Sequence, residues 1–333
     1  MSSKYTVLWV DDDEDRRTGK DRDFGRNERI KVVPVEPLDL AGRLLHNGEE
    51  LVEEGSPDLA LVDWYLQTGE YSADGPSIEG ILHDKYPEMP VYGFSNKYGD
   101  KSFMRERKQG ENRFEIITSP DRLKDKEIIR DIEDYEDIES QKGEGVTGIL
   151  NLLGADSDLK EKIQPILPQE FAEGIPAGED YEPGGILRLA RWIRHVLLRQ
   201  PGMIWNEIWT ATKLGIDIDA FDEYRSELSS EEYSGIFSHN IHRWWREEVT
   251  RKVYELASKE GASVDRTWKD APIFLDVDEE HIALCDVCGN KYPETVAAER
   301  ANEDPEFQVH YKCSNIENSR GQTFEDLRVL VEL

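Results

Sequence analysis

Two clusters carry residue types that do chemistry, at spacings that suit it. Near the C-terminus, Cys285-Asp-Val-Cys288 is followed 21 residues later by His310-Tyr-Lys-Cys313, and together they hold all three cysteines of the chain. Two donors three positions apart can grip one tetrahedral ion from a single turn, and a second pair closes the shell. Cys285, Cys288, His310 and Cys313 therefore read as a structural Zn²⁺ site, with His281 as the alternative fourth ligand. Such a filled shell has no opening for substrate, and it contributes on the order of 10 kcal/mol to a small fold. At the other end of the chain, the apolar run Tyr5–Val10 stops in five consecutive acids, residues 11 to 15. Carboxylates that close repel one another, so they either face solvent or hold something positive.

Acids become a site only if secondary structure gathers them. Tyr5–Val10, Ile30–Val35, Leu59–Leu66, Val91–Ser95 and Phe114–Thr118 are short, rich in β-branched and aromatic residues, and read as buried strands. Leu38–Glu54, Ser77–Tyr86, Lys101–Lys108 and Arg122–Ile138 between and after them have helical spacing. The segment Arg16–Glu28 is so charged that the helix expected there is short or missing. Alternation of this kind implies α/β architecture with a five-stranded, doubly wound parallel sheet. Sites in such sheets form at the carboxyl ends of the strands. Three of these ends are informative: Asp11-Asp12, Asp63 after Leu-Ala-Leu-Val, and Ser95 after Val-Tyr-Gly-Phe. Three carboxylates beside a hydroxyl call for a raised pKa or a hard divalent cation, and oxygen ligands favour Mg²⁺.

These residues give the first 140 or so positions a resemblance to the receiver domain of two-component response regulators, the CheY-like, flavodoxin-like fold. The resemblance implies that Asp11 and Asp12, with Asp13 as an alternative partner, bind Mg²⁺ together with Asp63. It further implies that Asp63 is the phosphoacceptor and that Ser95 contacts the phosphoryl group. Two departures stand out. The family's Lys before Pro after the fifth strand is replaced by Ser119 before Pro120, and a neutral hydroxyl does not replace a point charge. Lys97, two residues beyond Ser95, is the candidate substitute. The loop Trp-Tyr-Leu-Gln-Thr-Gly-Glu-Tyr-Ser-Ala-Asp-Gly after Asp63 is also long. A competing pattern is Asp11-x-Asp13, the nucleophile and acid of haloacid dehalogenase-type phosphatases, although Asp15 stands where that family expects Thr. The cysteine unit, with Gly289 in its knuckle, resembles a zinc ribbon or related treble-clef knuckle.

The chain between them reads as helical after a Gly- and charge-rich linker, Glu139–Gly145, with helices expected at Trp205–Leu214, Ala220–Leu228 and Arg243–Lys259 and an apolar stripe from Ile186 to Leu197. Residues 211–225 have a helix-turn-helix outline around Gly215. The second helix carries Asp217, Asp219, Asp222, Glu223 and Glu227 against Arg225 alone, which opposes phosphate contact. Trp192, Trp205, Trp209, Trp244 and Trp245 read as core. His239 and His242 could share a metal only if they lay on one helix, and no Cys or acid pair frames them.

Over all 333 residues the net charge is −30, spread as −14 over residues 1–150, −8 over 151–250 and −8 over 251–333. That field weighs against nucleic acid and anionic membranes. No apolar run reaches a membrane span, and the cysteines suit a reducing compartment. The expectation is a prokaryotic, cytoplasmic, non-enzymatic signalling adaptor with three domains: receiver-like at 1–140, helical and interacting at 146–271, zinc-ribbon-like at 272–333. Its partners would be proteins, among them an upstream histidine kinase and an unknown effector. The alternatives are a phosphorylation-independent pseudo-receiver scaffold in a multi-protein complex, a phosphatase and a DNA-binding response regulator.

Overall fold

The apolar runs of the N-terminal region pair into one parallel sheet in the computed structural model, which describes residues 5–66, 74–100, 103, 114–176, 184–299, 305–314 and 325–326, apart from 21, 39, 54 and 240. Its strands are β1 (Tyr5–Val10), β2 (Ile30–Val35), β3 (Leu59–Asp63), β4 (Val91–Phe94) and β5 (Ile116–Thr118). They lie in the order β2-β1-β3-β4-β5, every pairing parallel. This is the flavodoxin-like doubly wound order, with its reversal between β1 and β3. All of β3 and β4 is buried, as a sheet covered on both faces requires. β3 stops at Asp63, earlier than expected, because the Tyr65 N–H turns back to the Asp63 carboxylate at 3.0 Å.

The helices differ more from expectation. α1 (Glu14–Thr18) buries no residue, and Asp13 and left-handed Gly19 cap its two ends. A helix without an apolar face gains nothing from packing, so residues 19–29 cross to β2 without one. The helix expected over Leu38–Glu54 contracts to a π-helical turn, Gly42–His46, closed off by Asn47 and Gly48 at φ 64°. α2 (Gly75–Lys85) and α3 (Asp125–Ser140) form close to their expected places and bury Ile78 and Leu82, and Ile128, Ile129, Ile132, Tyr135 and Ile138, respectively. The helix expected over Lys101–Lys108 falls outside the described residues except for buried Phe103.

The chain divides into two compact units, Met1–Leu152 with Pro168–Arg191, and Leu153–Leu167 with Trp192–Leu333. The expected three-way division differs from this in two places: residues 146–152 and 168–191 fall in the first unit, and the cysteine region, with a small cluster of Cys285, Ala297, Val309 and Cys313, falls with the helical segment because strand Thr295–Ala298 packs on both. Val296 and Ala298 pack with Trp205, Trp209, Leu214 and Trp244 of the helical segment. Gln308 ties the same parts together, donating to Thr212 Oγ1 at 3.0 Å and to the Ile216 carbonyl at 2.9 Å. Gly215 ends helix Glu207–Leu214 at φ 68°, where a Cβ would come 2.1 Å from the Trp268 carbonyl oxygen, so packing alone demands glycine there. The second helix of the helix-turn-helix outline is only Phe221–Tyr224 between 3₁₀ turns. No helix of the described residues is long and apolar enough to cross a membrane.

Candidate functional site

Parallel pairing brings the ends of β1 and β3 side by side, since Val10 pairs with Val62. The next residues, Asp11 and Asp63, are both buried, and carboxylate oxygens of Asp11, Asp12 and Asp63 lie within 4.8 Å of one another. Ser95 follows Phe94, the register partner of Asp63, and is 1 % exposed. Its Oγ accepts from the Lys97 N–H at 3.1 Å. The four expected residues therefore meet at one end of the sheet.

A residue that the sequence reading did not place there sits among them. Arg16, carried inward by α1, directs Nη1 to within 3.2 Å of both Asp11 Oδ2 and Asp63 Oδ2, and its Nη2 lies 3.7 Å from Asp13. The only signal in the sequence was a basic pair, Arg16-Arg17, directly after the acid run. Asp11 is held further by the Asp13 N–H on Oδ1 at 2.9 Å and by the Trp9 indole N–H on Oδ2 at 3.2 Å. Asp63 Oδ1 accepts from Tyr65, which leaves Oδ2 to Arg16.

Three carboxyl groups gather here beside the Arg16 guanidinium, a set of hard oxygen donors of the kind a divalent cation takes. Burial, reinforced by Asp11 and Asp12 and opposed by the Tyr65 N–H and Arg16, raises the Asp63 carboxyl from its ordinary 3.8 to about 7. Burial also raises Asp11, against the Asp13 N–H and Arg16. Asp13 goes the other way: the Arg16 main-chain N–H at the helix start lowers it. A general acid needs its proton near neutral pH, so Asp13 is unsuited to the phosphatase role of Asp11-x-Asp13.

Lys97 and Ser119, the two neighbouring groups singled out in the sequence, are both engaged elsewhere. Lys97 Nζ lies 4.1 Å from the Tyr65 ring centroid, a cation–π contact. Ser119 gives its hydroxyl hydrogen bond to Asp121.

In the second unit the sulfurs of Cys285, Cys288 and Cys313 and one nitrogen of His310 lie within 4.8 Å of one another. A Zn²⁺ tetrahedron with bonds of about 2.3 Å has edges of roughly 3.8 Å, so the donor set fits with small adjustments. His310 Nε2 lies 3.2 Å from the Lys291 carbonyl, which can only accept. The ring hydrogen is therefore on Nε2, and the Nδ1 lone pair faces Cys288 Sγ at 3.4 Å. The Asn290 main-chain N–H lowers the Cys288 thiol to about 6, while burial pushes Cys313 up to about 12. His281, the alternative ligand, is bonded to the Tyr224 hydroxyl at 2.9 Å, outside this cluster. His239 and His242 do not share a helix, and His242 Nδ1 instead contacts Glu232 at 2.6 Å. Of the five tryptophans expected in the core, Trp205, Trp209, Trp244 and Trp245 are buried, whereas Trp192 is only partly buried.

No protein-family model matches the chain, and no curated protein matches it. Solved structures similar to it include a CheY-like response-regulator receiver domain from Methanospirillum hungatei, at 18 % identity over 42 % of this chain and 100 % of that one, TM-score 0.27. A Francisella response-regulator receiver domain is similar at 21 % identity, 34 % and 84 % coverage, TM-score 0.24. The RcsB response regulator of Salmonella typhimurium is similar at 14 % identity, 84 % and 95 % coverage, TM-score 0.27. The strand order itself defines the class: a flavodoxin-like α/β unit with an acid pocket at its topological switch point.

Proposed function

We propose that the first unit is a signal-transduction receiver that binds a divalent cation at Asp11, Asp12 and Asp63 and takes a phosphoryl group on Asp63. The observation that carries this reading is the convergence of the Asp11, Asp12 and Asp63 carboxyl groups within 4.8 Å of one another at the strand ends. Asp63 Oδ2 is the attacking oxygen: its bond to phosphorus forms as the donor's leaving group departs with the electron pair of the broken bond. Bound at this site, Mg²⁺ would neutralise charge on the phosphoryl oxygens. Arg16 must first release Oδ2, so its ion pair is the element that opens. Ser95 Oγ then offers a hydrogen bond to the phosphoryl group, and the shifted loops bias contact with a protein effector. A histidine kinase is the donor chemistry this implies, in the cytoplasm.

A second reading, a pseudo-receiver scaffold that never takes phosphate, is favoured by Arg16 lying where the cation would go and by Lys97 and Ser119 being engaged elsewhere. Intact mass after Mg²⁺ and a small phosphodonor, beside Asp63→Ala, decides between them. One added phosphoryl group absent from the control supports the first, and no gain supports the scaffold. DNA contact is disfavoured because Phe221–Tyr224 is short and its flanks are acidic. For the second unit we propose structural Zn²⁺ on Cys285, Cys288, His310 Nδ1 and Cys313, supported by their mutual distances and by the Lys291 carbonyl that orients His310.

A further inference from the structure

The crossover from β1 to β2 lacks the long helix that would cover its face of the sheet, and a cavity of about 410 Å³ lies beneath it. Trp9, Phe24 and Leu123 contribute its apolar wall, with Trp9 and Phe24 in ring contact at 5.6 Å. That volume far exceeds an oxyanion and falls within the range of small-molecule sites.

The charges lining it are unevenly satisfied. Each acid already has partners: Asp13 accepts from the Asp15 and Arg16 N–H groups, Asp23 pairs with Arg26 at 2.7 Å, and Asp121 accepts from Ser119. The cations are different. Arg22 lies with its guanidinium carbon 5.1 Å from the Trp9 ring centroid and donates from Nη1 to the main-chain carbonyls of Arg16 and Arg17. No carboxylate pairs with Arg22 among the described residues. Burial pushes its pKa down, with Asp11 opposing, as expected of a guanidinium short of anions. Lys124, exposed at the rim, makes no ion pair among the described residues. In a chain of net charge −30, a partly covered arginine and an exposed lysine, neither in an ion pair with a carboxylate among the described residues, beside a roomy apolar wall have the makings of an anion site.

We propose that this cavity binds a small phosphate-bearing molecule of about mononucleotide size, its phosphate on Arg22 and Lys124 and its body against Trp9, Phe24 and Leu123. The cavity adjoins the acid pocket, with Asp13 and Arg16 in its lining, but Arg22 and Lys124 are not members of the carboxylate cluster. Its test therefore needs neither Mg²⁺ nor a phosphodonor, and it stands or falls independently of phosphorylation at Asp63.

Isothermal titration of the full chain in chelator, with AMP, ribose 5-phosphate, adenosine and orthophosphate, tests the proposal. At least one ester is expected to bind with a Kd below about 1 mM, with adenosine and orthophosphate at least tenfold weaker. Arg22→Gln is expected to weaken that ester tenfold or more, and Arg22→Lys by less, because the charge stays and only the fork is lost. Lys124→Gln, at an exposed position that leaves folding intact, is expected to weaken it several-fold. Failure of both esters to bind, binding unchanged in both charge-removing variants, or binding of orthophosphate as tight as the esters would each overturn the proposal.

Discussion

The acid pocket and the cysteine cluster both gather ligand-type side chains within 4.8 Å, yet they meet their charge in opposite ways. The acid pocket carries a cation of its own in Arg16, held by ion pairs that can open, and it sits at the ends of strands beside loops. The cysteine cluster has no Lys or Arg in it among the described residues, and its donors come from one knuckle and from the turn that follows strand Glu306–Val309, with His310 hydrogen-bonded to Cys285 Sγ and the Lys291 carbonyl. The difference suggests that a replaceable internal cation marks a site built to change state, and a closed set of soft donors marks one built to stay.

The largest expected effect would break the comparison on its closed side. If Zn²⁺ holds the cysteine cluster, purified protein contains one zinc per chain, and Cys285→Ser or strong chelation lowers stability by on the order of 10 kcal/mol, unfolding that region. Metal analysis with thermal melts checks this, and a metal-free protein of unchanged melting temperature would refute the structural role.

Next comes Asp63. Its folded pKa, about 7, lies above the ordinary 3.8, so between those values the folded state keeps a proton that the unfolded state has lost. Stability therefore falls as pH rises from about 4 to about 7. Asp63→Asn removes that penalty, and in chelator at neutral pH it is expected to stabilise by up to about 4 kcal/mol, a gain that fades as pH falls toward 4. Denaturant melts across this range check the sign.

Arg16→Gln sharpens the contrast further, because it removes the internal cation without touching a carboxylate. Without it, metal-free stability at neutral pH is expected to drop by about 1–3 kcal/mol, while Mg²⁺ affinity rises about tenfold. Titration calorimetry with unchanged Mg²⁺ affinity would show that Arg16 does not compete for the site. The smallest effect is expected from Ser95→Ala, about 1 kcal/mol from the lost Lys97 N–H contact, with a larger change in the lifetime of any phosphoryl group on Asp63 than in Mg²⁺ affinity.

Much of this was legible from the chain. Strand β1 begins and ends where its apolar run does, because burial on both faces writes a continuous apolar signal, and edge strand β2 is marked by its Val run although Lys31 and Pro34 are exposed. Asp11, Asp63 and Ser95 could be picked out because each directly follows such a run, and Cys285, Cys288 and Cys313 because they are the only cysteines. The π-helical turn at Gly42–His46 was not legible, since the helical spacing of Leu38–Glu54 gives no sign of where it stops.

The sequence alone determined which residues would stand at strand ends and which cysteines would share a knuckle, since both depend on local pattern. Only the tertiary structure decided what surrounds them. Arg16 between two buried carboxylates, Arg22 over Trp9, and the return of strand Thr295–Ala298 onto the tryptophan core all join positions by packing, and no local periodicity encodes which distant charge or face will meet.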